Sequence, residues 1–128
     1  MARPTSQYPT ELELEILKIL WRESPLSGRS IRDSLGCVRD LAYTSVMTIL
    51  KIMTEKRYVR RKKIDANFVY YPMVTEESIS GKMLHDVVDR VFRGSASAVM
   101  LNLLETADLD EEELEELWKI VNDKKKLK

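Results

Sequence analysis

Tyr43, Thr44, Ser45, Met47, Thr48 and Lys51 point to one side of a segment with helical spacing, and each carries a group that can hold or read a nucleic-acid duplex. Threonine and serine hydroxyls bond to base edges or phosphates, a methionine methyl meets a thymine methyl, and lysine reaches phosphate or guanine. Four consecutive bases, Arg60, Arg61, Lys62 and Lys63, follow at the start of a strand-like run. An exposed helix with no ligand would show some of these residue types. The hydroxyls together with the basic run weigh for DNA contact. Arg29, Arg32 and Arg39 lie just upstream, where they would meet the flanking backbone.

No catalytic constellation accompanies these residues. The chain has no glycine-rich phosphate loop, one cysteine (Cys37) and one histidine (His85). One thiol and one imidazole cannot build a zinc site, and no intramolecular disulfide is available. Cys37 reads as a small half-buried residue. His85, with Asp86 and Asp89 beside it, reads as a surface or interface histidine. The acids of DEEELEE spread around their helix as a helix-start cluster, not a metal site. No metal, no cofactor and no enzymatic activity are expected.

The elements that must position the basic residues follow from periodicity. Leu12, Ile16, Ile19 and Leu20 form an apolar stripe over 11–22, widened by Leu14, Leu17 and Trp21, with Thr10 and Glu13 placed as a capping box. Ser24-Pro25 stops that helix, and Leu26 suits a strand of one or two residues. Ser27 caps a second helix over 28–35, with Ile31 and Leu35 inward and Gly36 as its stop. A third helix runs from about Ala42 to Arg57, burying Val46, Ile49, Leu50 and Met53. Segments 58–64 and 68–74 pair as a hairpin around Asp65-Ala66-Asn67. Val59, Phe68, Tyr70 and Met73 are candidates to pack on the helices. Arg61 and Lys63 alternate to one hairpin face, Arg60 and Lys62 to the other. A helix followed at once by a charged hairpin is the order of a winged helix-turn-helix.

From Thr75 the pattern changes. A helix opens with Glu76 and Glu77 in its first turn and shows a wide apolar face of Ile79, Met83, Leu84, Val87, Val88, Val91 and Phe92. After a break at Gly94-Ser95, Ala98, Val99, Leu101, Leu103 and Leu104 mark a second helix. Asp108 or Asp110 caps a third, with Leu114, Leu117, Trp118 and Val121 on one side. Three short helices cannot cover this much apolar surface, so a second copy is expected to bury Met83, Val87, Val91, Leu101, Leu104, Leu117 and Trp118. The expected fold is mainly α with a small β-hairpin: a winged helix-turn-helix over 1–74 and a helical dimerisation region over 75–128.

Charge supports this division. The net charge of the 128 residues is zero, yet residues 1–63 hold 13 Lys and Arg against 7 Asp and Glu, and residues 64–128 hold 8 against 14. A basic half fits a nucleic-acid surface. No apolar run approaches the roughly 18 residues of a membrane span. The stretch MARPTSQYPT has no signal-peptide core, so a cytoplasmic protein without membrane insertion is expected.

The segments LAYTSVMTILKIMTEKRYV, the hairpin end YYP, and VFRGSASAVMLNLLETADLDEEELEELWKIVN, in this order, resemble the penicillinase-repressor family, which includes methicillin-resistance regulators and copper-transport repressors. The resemblance covers nearly everything from Glu11 onward. It implies a homodimeric repressor of transcription that binds palindromic operators through its winged-helix domains. It also implies a membrane sensor-protease system as partner and cleavage in the dimerisation region, at the bond matching Asn102-Leu103. Leu103 stands where better-studied members have an aromatic residue, and Ile52 where the family often has a basic or polar one. The tail NDKKKLK lacks the cysteines of the copper branch. A protein-interaction module that docks a protein through the winged helix is the alternative, and salt-dependent DNA binding separates the two.

Overall fold

A computed structural model describes residues 8–36 and 39–127, so Cys37 lies outside the described residues. The elements are α1 (Glu11–Arg22), β1 (Leu26–Ser27), α2 (Gly28–Leu35), α3 (Tyr43–Glu55), β2 (Val59–Ile64), β3 (Asn67–Pro72), α4 (Glu76–Val91), α5 (Ala96–Thr106) and α6 (Glu111–Lys126). The protein is thus mostly helical with a small antiparallel sheet. It divides into two compact units, one ending at Leu84 and one beginning at His85.

In the first unit, α1 starts on the expected capping box. The Glu13 amide donates to the Thr10 hydroxyl at 3.2 Å, and the Thr10 amide donates to Glu13 Oε1 at 2.8 Å. Ser27 caps α2 by accepting from the Ser30 amide at 3.2 Å. Gly36 ends α2 with a right-handed φ of −57°, so this stop does not use the freedom of glycine. The core joins Ile16, Leu17 and Leu20 of α1, Ile31 and Leu35 of α2, Val46, Leu50 and Met53 of α3, and Val59 and Tyr70 of the sheet. Burying each large apolar side chain contributes roughly 1.5–3 kcal/mol, which makes this cluster the anchor of the unit.

The end of α3 is shorter than the sequence suggests, because a Schellman motif closes it. The Tyr58 amide donates to the Met53 carbonyl at 2.9 Å and the Arg57 amide to the Thr54 carbonyl at 3.1 Å. Arg57 takes the left-handed position, φ 66°, that glycine usually holds. The chain then enters β2 at Val59, whose side chain is fully buried.

The sheet order is β1-β3-β2. In the hairpin Arg60 faces Tyr71, Arg61 faces Tyr70 and Lys63 faces Phe68. A two-residue turn, Asp65-Ala66, joins the strands, with Asp65 at φ 56°, a conformation Asp tolerates. The short β1 pairs Leu26 with Tyr70. Val59 and Tyr70 pack on the helices as expected, but Phe68 and Met73 do not, being 39% and 53% exposed. Phe68 borders an open cleft with Tyr43 and Met47 of α3 without joining the core, and Met73 follows the last residue of β3. Trp21 ties α1 to the sheet's end by donating from Nε1 to the Val74 carbonyl at 2.8 Å. Thr75 starts α4 by accepting from the Ser78 amide at 3.1 Å, and Ile79 is buried.

In the second unit, Arg93 and Gly94 turn the chain with φ of 52° and 79°. Ser95 then caps α5 and Asp110, not Asp108, caps α6. No residue of α5 or α6 is buried. Met100, Leu103, Leu104, Leu114, Leu117 and Trp118 line one apolar cleft between these helices and remain largely exposed.

Candidate nucleic-acid interface

The core fixes which faces of α3 are free. With Val46, Leu50 and Met53 fully buried, Thr44, Thr48 and Glu55 project most directly outward. Tyr43, Met47, Lys51 and Thr54 flank them on the side of the sheet, since Met47, Lys51 and Thr54 share a cleft with Arg61 and Tyr70. Ser45 and Ile52 are exposed on the opposite flank.

Each candidate residue then has a defined setting. Thr44 and Ser45 are open to solvent. The Thr48 hydroxyl donates to the Thr44 carbonyl at 3.0 Å, so it can offer an outside partner only lone pairs and its methyl group. Tyr43 is exposed, and the Arg29 guanidinium lies 5.5 Å from its ring centre. Met47 departs from the outward orientation expected of it. It is half-buried against the core, and its sulfur occupies the space where a Cβ on Gly28 would sit, at 2.6 Å. A side chain at position 28 would have to displace the flexible Met47 side chain, while Tyr43 and Leu50 would stay at ordinary contact distance. Lys51 is exposed and lines the same cleft as Arg61.

The four wing bases are all exposed but not equivalent. The Arg60 guanidinium lies 4.9 Å from the Tyr71 ring centre, and that of Arg61 lies 4.3 Å from the Phe68 ring centre. These aromatic platforms were not singled out from the sequence, although the cross-strand pairing of Arg60 with Tyr71 follows once the hairpin register is known. Burial raises the Tyr70 hydroxyl above its ordinary value. The charge of Arg61 opposes this, the nearby Tyr43 adds to it, and a hydrogen bond from Arg61 again opposes it.

The N-terminus of α3 has no acid in its first turn, which leaves the positive end of its dipole uncompensated. Glu55 closes the outward line at the other end. The dipole therefore favours a phosphate at the start of α3, while farther along the helix an anion depends on the side-chain cations. Arg39 turns away from this surface to pair with Glu15 at 2.8 Å and Glu11 at 3.6 Å, and Arg32 donates to the Leu41 carbonyl at 3.3 Å.

The remaining candidates lie elsewhere. His85 is exposed and its Nε2 is 3.3 Å from Asp89 Oδ2. No group of His, Cys, Asp and Glu that could hold a metal occurs among the described residues. Met83, near the end of the first unit, is half-buried, and in the second unit Val87, Val91, Leu101, Leu104, Leu117 and Trp118 are exposed. Asn102 and Leu103 lie in the middle of α5, exposed, with the Asn102 carbonyl accepting from the Thr106 hydroxyl at 2.7 Å. No helix is long and apolar enough to cross a membrane among the described residues.

A family profile described as penicillinase repressor matches residues 9–123. The chain belongs to the penicillinase-repressor family. Its similarity to other members of this family extends over most of each chain. It is 30% identical over 112 residues to the methicillin resistance regulatory protein MecI of Mammaliicoccus sciuri, covering 88% of this chain and 91% of that one. To the penicillinase repressor of Bacillus licheniformis it is 26% identical over 119 residues, 93% of each chain. Among solved structures, a MarR/EmrR family transcriptional regulator from Acinetobacter sp. ADP1 matches 91% of this chain and 73% of its own at 20% identity and a TM-score of 0.42.

Proposed function

We propose that this penicillinase-repressor family member is a dimeric DNA-binding repressor of transcription. Residues 1–74 form the DNA-binding head and residues 75–128 the dimerisation region. The observation that carries the reading is the juxtaposition of α3 and the wing. A helix with exposed hydroxyls and an uncompensated N-terminus stands beside a hairpin bearing four bases. Tyr43, Thr44, Ser45, Thr48 and Lys51 face the major groove, Met47 supports them from beneath, and Arg60, Arg61, Lys62 and Lys63 hold the backbone.

The largely exposed apolar cleft of α5 and α6 supports pairing with a second copy through Met83, Val87, Val91, Leu101, Leu104, Leu117 and Trp118. Two heads on a two-fold axis require a palindromic site whose half-sites lie one helical turn, or a multiple of it, apart. The protein acts in the cytoplasm and performs no enzymatic reaction. A membrane sensor-protease system releases it by cutting Asn102-Leu103. Because that bond lies within α5, the protease must act on a locally unwound state. Cleavage separates the heads and removes the advantage of tethering.

Selection of duplexes from a randomised library, followed by titration at several salt concentrations, tests the reading. The expected result is a palindrome whose affinity falls steeply with salt, each phosphate contact adding about 0.9 to the slope. Thr44→Ala changes sequence preference, whereas Lys51→Gln weakens all duplexes alike. Salt-independent binding, or none, rejects the function. Fragment masses after induction of cells carrying the sensor test the cleavage: an N-terminal piece ending at Asn102 is expected, and release of DNA by the intact chain rejects it.

A further inference from the structure

The two faces of the wing differ in a way that the charge count hides. Arg61 is paired across the hairpin with Tyr70, which is only 3% exposed, so Arg61 lies on the face turned toward α3. Arg60 is paired with Tyr71 and lies on the other face. On the α3 side, Met47, Lys51, Thr54 and Glu55 of the helix and Arg61 and Tyr70 of the sheet enclose a cleft of about 360 Å³. Two basic residues from different elements thus line one open space.

The Arg61 guanidinium is also held in advance. It lies over the Phe68 ring at 4.3 Å, diagonal to its own cross-strand partner. A guanidinium fixed on an aromatic face loses little freedom on binding and presents its edge donors to an anion, where a free lysine offers a point charge. Arg60 stacks on Tyr71 at 4.9 Å, an equivalent arrangement, but no residue of α3 faces it across the hairpin.

We propose that Lys51 and Arg61 seat one backbone phosphate of duplex DNA between α3 and β2, with Phe68 as the platform that orients Arg61. This rests on the DNA-binding reading and names the contact that joins helix to wing. Phe68 is a positioning residue, and Arg60 and Lys62, on the other face of the wing, meet the backbone outside this seat. Glu55 also lines the cleft, so the two cations must outweigh one carboxylate there.

The experiment uses the full chain and a duplex enriched by the wild-type protein from a randomised library. Binding is followed by fluorescence anisotropy across a salt series. Arg61→Gln should lower affinity roughly tenfold and reduce the salt slope by about 0.9. Arg60→Gln should also lower affinity, but by clearly less than Arg61→Gln, because it removes a backbone contact that no second cation shares. Phe68→Leu keeps every charge, so affinity should fall while the slope stays unchanged. Arg61→Lys should keep the slope and recover only part of the affinity. Lys51→Gln combined with Arg61→Gln should cost less than the sum of the two. Equal losses from Arg60→Gln and Arg61→Gln, or a changed slope in Phe68→Leu, overturn the seat while leaving DNA binding intact. A wild-type chain that enriches no duplex overturns the DNA reading, and the seat with it. Thermal melting of each variant identifies any that fails to fold, and Arg61→Lys then decides.

Discussion

Glu13 and Lys56, 43 positions apart, form an ion pair at the edge of the core, with Nζ 3.0 Å from Oε2 and 3.1 Å from Oε1. The Glu13 residue is 3% exposed and the Lys56 side chain 22%. The same carboxylate accepts from the Thr10 amide, so one group joins the start of α1 to the end of α3. Both lone oxygens are satisfied, as a buried charge requires.

Glu13→Gln should destabilise the head by roughly 3 kcal/mol, the lower end for breaking a buried pair, because Lys56 retains access to water. Replacing both residues with methionine should recover most of the loss. Chemical denaturation measures both, and a single variant as stable as the parent rejects the role.

Arg57→Gly should stabilise the protein. Arg57 is held at φ 66°, where a side chain costs about 1–2 kcal/mol and glycine none. The gain is expected near 1 kcal/mol after the entropy of glycine in the unfolded chain is counted. An increase in Tm without loss of DNA affinity is the expected result; a decrease refutes it.

Much of this was legible in the sequence. The Thr10-Glu13 capping box, the Ser27 cap and the strip of Val46, Leu50 and Met53 depend on local spacing, which a sequence displays. The exposure of Phe68 and the half-burial of Met47 depend on how the hairpin meets α3 and on the space beside Gly28, which local spacing does not encode. The ion pair of Glu13 with Lys56 was hidden because a helix-start Glu already had a local explanation as a cap. The residues proposed for DNA contact were visible as residue types, whereas the division of Arg60 from Arg61 by their aromatic partners required the register.

Stability should fall in alkali through two tyrosines. Burial, and then the charge of Glu13, raises Tyr58 above 10.0, and burial raises Tyr70. The folded state therefore holds these protons more tightly than the unfolded chain. Their stabilisation is fully present below pH 10.0 and is lost as pH rises from there through the folded values. Denaturant midpoints measured on either side of pH 10.0 should decline more steeply for the parent than for Tyr58→Phe or Tyr70→Phe.

Leu104→Asp and Leu117→Asp should each convert the protein from dimer to monomer in sedimentation equilibrium, with a mass of 14.9 kDa, and leave the head folded. A dimer that persists in both variants places the pairing surface elsewhere.

Only Lys56, Arg57 and Tyr58 separate α3 from β2, and the amide of each is bonded back to the helix. The junction has no slack, so it sets the phase of the wing. Because strand faces alternate with every residue, one residue inserted before Val59 would exchange them. Arg60 would turn toward α3 and Arg61 away, with the same four bases and an unchanged net charge. The length of this junction, more than the number of bases after it, decides which cations meet the groove.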